Sequence, residues 1–327
     1  MTFLLNTPGP FFARGGAAAL NITEIFSTAL YTGDGSTQSV TIGFPPDLVW
    51  VKLRSGSSSH YLNDTVRGAG NHLSANSTAE EEDFSGFDAF LSDGFRVGGI
   101  SNTNAGTYAS WSFRQEPRFF DIVTYTGDGV SGRTVSHNLG QQPGMLIVKR
   151  LDTTSPWSVW HKEISNTQRL VLNTGSNVSS GVWSSTTPTN TEFTVSNSSD
   201  VNASGGAYVA YLFGHDTDDA GRIQCGGYTG NGSTTGPIIT LGWEPQWLLV
   251  KRVSGGGSAS WHILDDKRNS SNPRNSVIFP DRTQQEITDN VFNTDFTSTG
   301  FQIKNTNAGF NSFGDPYTYM AIRAEGA

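Results

Sequence analysis

Tyr31-Thr-Gly-Asp-Gly35 opens a run of landmarks that occurs three times, again from Tyr125-Thr-Gly-Asp-Gly129 and from Tyr228-Thr-Gly-Asn-Gly232. Each pentapeptide leads to a glycine and an apolar run that ends in lysine. These runs are Gly43-Phe-Pro-Pro-Asp-Leu-Val-Trp-Val-Lys52, Gly140-Gln-Gln-Pro-Gly-Met-Leu-Ile-Val-Lys149 and Gly242-Trp-Glu-Pro-Gln-Trp-Leu-Leu-Val-Lys251, with the same spacing from glycine to lysine. A histidine follows in every copy, at His60, His161 and His262. Gly94-Phe-Arg-Val97, Glu192-Phe-Thr-Val195 and Gly300-Phe-Gln-Ile303 then read as one strand in three versions. A last strand alternates large residues: Tyr108, Trp111, Phe113; Tyr208, Tyr211, Phe213; Tyr317, Met320, Ile322. The period of roughly 100 residues is that of a domain, so the pattern predicts three domains in series and not a solenoid of small repeats.

Asp-Gly and Asn-Gly between strand-like stretches signal a tight hairpin turn, because Asn, Asp and Gly tolerate positive φ at least cost. A proline before Leu48, Met145 or Leu248 suits a strand entrance, where a lost N–H does least harm. The four apolar residues that follow suit a strand buried on both faces. No segment sustains the i, i+3, i+4, i+7 apolar pattern of a helix, and 38 glycines with only 15% charged residues fit many short strands and turns. The expected fold is all-β: three tandem antiparallel β-sandwich domains, jelly-roll-like, at residues 26–116, 117–218 and 219–327. Residues 1–25 belong to no repeat. Their apolar side chains Phe3, Leu4, Leu5, Phe11 and Phe12 are those of an extended docking arm, covered in an assembly.

Several function classes are set aside by composition. Net charge is −8 with no basic stripe, which argues against nucleic acid as a partner. The single cysteine, Cys225, rules out an internal disulfide framework and a multi-thiolate zinc site. Apolar runs such as Leu48–Val51 and Trp247–Val250 are strand-sized, so membrane insertion is not expected. Residues 1–20 lack a basic leader and do not read as a secretion signal. Gly127-Asp-Gly129-Val-Ser-Gly132 matches a dinucleotide fingerprint, but strand-like residues follow it where a helix is needed, so no cofactor is expected.

The recurrent histidines lack a nucleophile elbow and are spread over three copies, so neither a triad nor a metal centre is expected. Each is read as an imidazole hydrogen-bonded to a neighbouring loop, with Asp64–Arg67 and Asp265–Arg268 as charge-assisted pairs nearby. Arg169 is read as the basic member in copy two, without its aspartate. The acidic stretches Glu80–Asp83 and Asp216–Asp219 lack the aromatic framing of a glycosidase pair. Trp160 with Trp261, and Phe44 with Trp243, are read as matched core positions. Trp157 and Trp183 sit in polar, loop-like surroundings of one copy and are the candidates for stacking on a surface glycan or a protein partner. No catalytic, cofactor-binding or metal-binding residue is expected, and the chain does not read as an enzyme.

Tyr-Thr-Gly-Asp/Asn-Gly, then Gly-aromatic-x-Pro-Asp-Leu-Val-Trp-Val-Lys, then His60-x-Leu62-x-Asp64-x-x-Arg67-Gly68 resembles a repeat domain of unknown function found in tail and fibre-like proteins of tailed bacteriophages, many of them marine. Copy one carries the full pattern, while copies two and three keep the turn and the lysine strand but lose parts of the later motif. The resemblance implies a virion component assembled in the host cytoplasm. Its expected partners are other virion proteins, further copies of itself in a trimer or hexamer, and a host surface glycan. A head fibre or capsid decoration, a carbohydrate-binding module array and, last, a depolymerase are the alternatives.

Overall fold

The computed structural model describes residues 21–83, 86–217 and 221–327, and these are nearly all-β. Copy one contributes β1 (Phe26–Thr32), β2 (Gln38–Thr41), β3 (Leu48–Leu53), β4 (His60–Asp64), β5 (Asn71–Ser74), β6 (Glu82–Asp83), β7 (Phe87–Leu91), β8 (Gly94–Val97) and β9 (Thr107–Phe113). Copy two follows with β10 (Phe120–Thr126), β11 (Arg133–Ser136), β12 (Met145–Arg150), β13 (Ser158–His161), β14 (Gln168–Val171), β15 (Ser179–Ser180), β16 (Glu192–Val195) and β17 (Ala207–Phe213). Copy three has β18 (Ile223–Thr229), β19 (Ile238–Thr240), β20 (Pro245–Arg252), β21 (His262–Asp265), β22 (Ser276–Val277), β23 (Ile287–Thr288), β24 (Thr294–Thr297), β25 (Gly300–Ile303) and β26 (Pro316–Arg323).

Strand order recurs with the sequence. Large sheets run β1-β9-β3-β4-β5-β6, β10-β17-β12-β13-β14-β15 and β18-β26-β20-β21, and small sheets run β2-β8-β7, β11-β16 and β19-β25-β24. All pairings are antiparallel in the registers found. The central strands β3, β12 and β20 are buried along almost their whole length, as their unbroken apolar runs require.

The Asp/Asn-Gly turns are not hairpins. β1 pairs with β9 and β2 with β8, so Thr32–Gln38 carries the chain from the large sheet to the small one. The turn chemistry was legible, but the partner of each flanking strand lies at the far end of the copy, and local propensity cannot specify that.

Each large sheet has two apolar faces. One packs on the small sheet of its own copy, in clusters such as Val40, Val51, Phe87, Phe95 and Tyr108 or Val148, Trp160, Phe193 and Tyr208. The other faces a core common to all three copies, built from matching positions: Trp50, Ile147 and Leu249; Leu62, Val159 and Ile263; Trp111, Tyr211 and Met320. Around Phe113 the rings of Phe120, Phe213 and Trp247 gather at 5.3, 5.6 and 6.4 Å between centroids, so the strand ends that bear the connections between copies converge there. The Tyr-Thr-Gly loops lie at the opposite ends of those strands.

Candidate functional site: the junctions between copies and the loop tips

The three copies close a ring through one repeated set of bonds. Lys52 Nζ donates to the Leu53 carbonyl and, across the junction, to the Thr283 carbonyl of copy three at 3.2 Å. Lys149 reaches Thr78 of copy one at 3.3 Å, and Lys251 reaches Gly175 of copy two at 3.2 Å. The same three carbonyls accept the backbone N–H groups of Ser58, Ser155 and Ala259. Copy one thus leans on three, two on one and three on two, a closed pseudo-threefold circuit within one chain.

All three lysines are fully buried. Burial lowers each ammonium to about 8, and the nearby carboxylates of Glu80 at Lys149 and Asp281 at Lys251 offset it only in part. The unfolded chain keeps these three protons up to the ordinary lysine range, so above about pH 8 the lysines make stability rise with pH. Burial also pushes up the Cys225 thiol and the phenols of Tyr31, Tyr125, Tyr208, Tyr211, Tyr228, Tyr317 and Tyr319, and these oppose the lysines increasingly as pH nears the ordinary thiol and phenol ranges. The melting temperature is therefore expected to rise between about pH 8 and 9, before the phenols take over, and by less in Lys251→Met. A flat or falling profile contradicts the buried-ammonium reading.

The histidines do not occupy equivalent places. They follow their lysines at different distances, and the register resolves them: Lys52 faces His60, Val148 faces Ser158, and Val250 faces His262. His60 therefore matches Trp157 and Trp261. The backbone N–H of each is held by the side-chain oxygen of Asn76, Asn173 or Asp281. Trp157 Nε1 donates to the carbonyls of Ser74 and Ser77 in copy one, and Trp261 Nε1 to Val171 in copy two. Trp160 corresponds to Leu264 and not to Trp261. The unequal lysine-to-histidine spacings were the available signal, and the shared Trp-His dipeptide masked it.

His161, by the same register, stands where copies one and three have Asp64 and Asp265. There it contacts the Tyr319 carbonyl at 3.1 Å through Nε2 and accepts the Glu163 N–H at Nδ1. Burial lowers His161 to about 4 and His262 to about 3, so both rings are neutral at pH 7. His60 accepts the Trp50 indole N–H at 3.0 Å and is likewise held low by burial.

Charge differs from junction to junction. Asp64 pairs with Arg67 at 2.6 Å, Arg67 with Glu81 at 2.9 Å, and the Tyr211 hydroxyl of copy two donates to Asp64 at 2.7 Å. Asp265 pairs with Arg268 at 2.6 Å, Arg268 and Arg54 share Glu286, and the Trp111 indole of copy one donates to Asp265 at 3.1 Å. Both Asp–Arg pairs expected from the sequence are thus present and buried. At the third junction the matching places hold His161, Ile164, Val178, Val253 and Met320, and all but the histidine join the apolar core. Arg169 is not the basic member there: it pairs with Asp200 at 2.7 Å, and Ile164 takes the arginine's place. Where an aspartate is present the neighbour supplies a donor, and where it is absent the neighbour supplies a thioether.

The pentapeptide is a latch. Asn102, Asn202 and Asn311 are fully buried. Each donates its amide to the Asp34, Asp128 or Asn231 side chain and to the carbonyl of Ser36, Val130 or Ser233. Each also accepts the N–H of that same Asp or Asn. A Cβ on Gly33, Gly127 or Gly230 would meet a carbonyl oxygen at 2.1–2.2 Å, which explains the first glycine. Tyr31, Tyr125 and Tyr228 stack on Tyr108, Tyr208 and Tyr317 at 4.9–5.0 Å. The recurrent tyrosine, first glycine and Asp or Asn of the motif are thus spent on cohesion.

Trp157 and Trp183 are corrected. Both are buried, at 0% and 1% exposure, Trp157 in the common core and Trp183 in the core of copy two, so neither is a surface platform. Polar neighbours in sequence concealed them, although Ser155 and Ser158 beside Trp157 are themselves buried. The proposed arm residues Phe3, Leu4, Leu5, Phe11 and Phe12 lie outside the described residues. Among the described residues no cluster of three or more His, Cys, Asp or Glu side chains could hold a metal ion, and no helix is long and apolar enough to cross a membrane. An open polar depression of about 510 Å³ lies over the junction of copies one and three, lined by Ser57, Asn76, Asp281, Arg282, Thr283 and Gln284.

Residues 21–326 match the model of a domain of unknown function, DUF7483. The chain belongs to that family. No curated protein matches it. The family match runs through all three copies without a break, so the unit it describes is the whole ring and not one copy.

Proposed function

We propose that this DUF7483 chain is a structural component of a tailed-bacteriophage virion, a tail or tail-fibre part anchored by its N-terminal arm, with outer loops toward the host surface. On this reading its architecture is three tandem jelly-roll-like sandwiches behind a docking arm. The carrying observation is the ring itself: recurrent lysines, tryptophans and asparagines all serve the junctions or the latches, as a scaffold needs and a turnover site does not. Asn21, where the described chain begins, leads through a short 3-10 turn into β1 at the convergent end. An arm there would leave the opposite loop tips free. One chain also presents three similar faces, which suits a threefold or sixfold body.

The test is incorporation. Antibody to the chain should label purified particles, and deletion of residues 1–20 should abolish labelling while the purified remainder keeps its melting transition. A chain that never accompanies particles, or one that joins them equally well without the arm, overturns the proposal.

A further inference from the structure

Two of the three junctions carry a built-in ion pair, and the third carries a base. Asp64 and Asp265 are each paired with an arginine of their own copy. His161 takes the matching place between copies two and three, with Ile164 where the arginine would be. The imidazole spans the seam. Its Nδ1 accepts the Glu163 N–H at 3.2 Å, so its proton sits on Nε2, which donates to the Tyr319 carbonyl of β26 at 3.1 Å. His215, in the connection between the copies, bonds across the same seam: its Nδ1 accepts the Cys225 N–H of β18 at 3.2 Å. The copies are in direct contact here. A Cβ on Gly144 of copy two would meet Cys225 Cβ at 2.6 Å, Cys225 Sγ at 2.8 Å and His215 Cβ at 2.8 Å. Cys225 itself is fully buried.

We propose that the junction of copies two and three is an acid-operated catch: protonation of His161, with His215 beside it, opens this seam while the other two stay closed and the sheets stay folded. A proton on Nδ1 turns an acceptor into a donor aimed at the Glu163 N–H, so that bond is lost and a cation is left in a buried place. The groups around it offer no ready counter-ion. Glu163 brings a carboxylate, but Lys162 holds it at 2.7 Å. Asp216 lies toward His215 and pairs with Arg118 at 3.1 Å. The Cys225 thiol and the Tyr319 phenol stay uncharged, because burial pushes both up. Burial accordingly lowers His161 to about 4 and also lowers His215. In the opened seam both rings meet water and take protons at the ordinary histidine value. The closed state therefore weakens as pH falls below about 6.5, until His161 itself titrates near 4. His60, at the junction of copies one and three, accepts the Trp50 indole and is held well below the ordinary range by burial and by the Lys52 and Arg268 cations. His262 packs on Phe279, Phe292 and Phe310 of its own copy and is held at about 3. Neither titrates as early as His161. The catch does not depend on the virion reading.

The single cysteine reports on this seam. The full chain is labelled with 4,4′-dithiodipyridine at pH 7 and pH 5, each rate is divided by that of the same chain in denaturant, and far-ultraviolet circular dichroism is recorded alongside. Cys225 labelling should rise roughly tenfold or more at pH 5 with unchanged dichroism. His161→Gln keeps a donor for Tyr319 and an acceptor for Glu163 but takes no proton, so it should remove most of that rise. Amide exchange of the wild type, corrected for its intrinsic pH dependence, should show β13 and β18 losing protection at pH 5 while the strands bearing Asp64 and Asp265 keep theirs. No rise in labelling, an equal rise in His161→Gln, a rise that accompanies loss of the β signal, or equal loss of protection at all three junctions would each overturn the catch. Should His161→Gln not fold at pH 7, the exchange pattern of the wild type decides the matter alone.

Discussion

Arg268→Ile is expected to lower stability by about 3–5 kcal/mol, the usual cost of stranding a buried charge. Arg268 has no exposed side-chain surface. It holds Asp265 at 2.6 Å and Glu286 at 3.2 Å, and donates to the carbonyls of Ser276 and Ile263. Its guanidinium also lies over the Trp111 ring at 5.6 Å. Isoleucine is what copy two uses at this place, but there the facing residue is His161 and the neighbour Met320. The double variant Asp265→Asn/Arg268→Ile removes the stranded carboxylate and keeps an acceptor for the Trp111 indole, so it should recover more than half of the loss. Denaturant unfolding of both variants decides the matter. If the double variant is no more stable than the single one, the junction is not governed by the buried charge.

The second large effect is expected at the latch. Asn202→Ala deletes amide donations to Asp128 at 2.9 Å and to the Val130 carbonyl at 2.9 Å, and the acceptor of the Asp128 N–H at 3.0 Å. At roughly 1 kcal/mol for each net bond, the loss is about 3 kcal/mol. Asp128→Asn, which places the copy-three residue in copy two, keeps a side-chain oxygen for the Asn202 amide and should change stability by less than ~0.5 kcal/mol. Equal losses in the two variants would show that charge at Asp128, and not the buried amide, secures the loop.

Much of this was readable without coordinates, and the misreadings share a cause. The threefold repeat, the all-β class and the Asp64–Arg67 and Asp265–Arg268 pairs rest on residues close in sequence, where spacing constrains geometry. The hairpin reading of Thr-Gly-Asp-Gly failed because β1 finds β9 some eighty residues away, and a turn motif carries no information about that partner. The histidine alignment failed because the three rings sit at different positions along the equivalent strand, and a one-residue shift turns a side chain to the other face. Trp157 looked exposed for a related reason: its neighbours Ser155, Pro156 and Ser158 are polar or turn-forming, yet the surface that covers it belongs to copy one.

The amino-acid order alone determined that the chain is three variants of one β unit, because periodic landmarks and strand-length apolar runs are properties of neighbours along the chain. Only the tertiary structure decided that the units share a core and close on one another, since the carbonyls that receive Lys52, Lys149 and Lys251 lie in a different copy each time. Contacts of that range depend on how whole sheets pack face to face, and no local stretch encodes the answer.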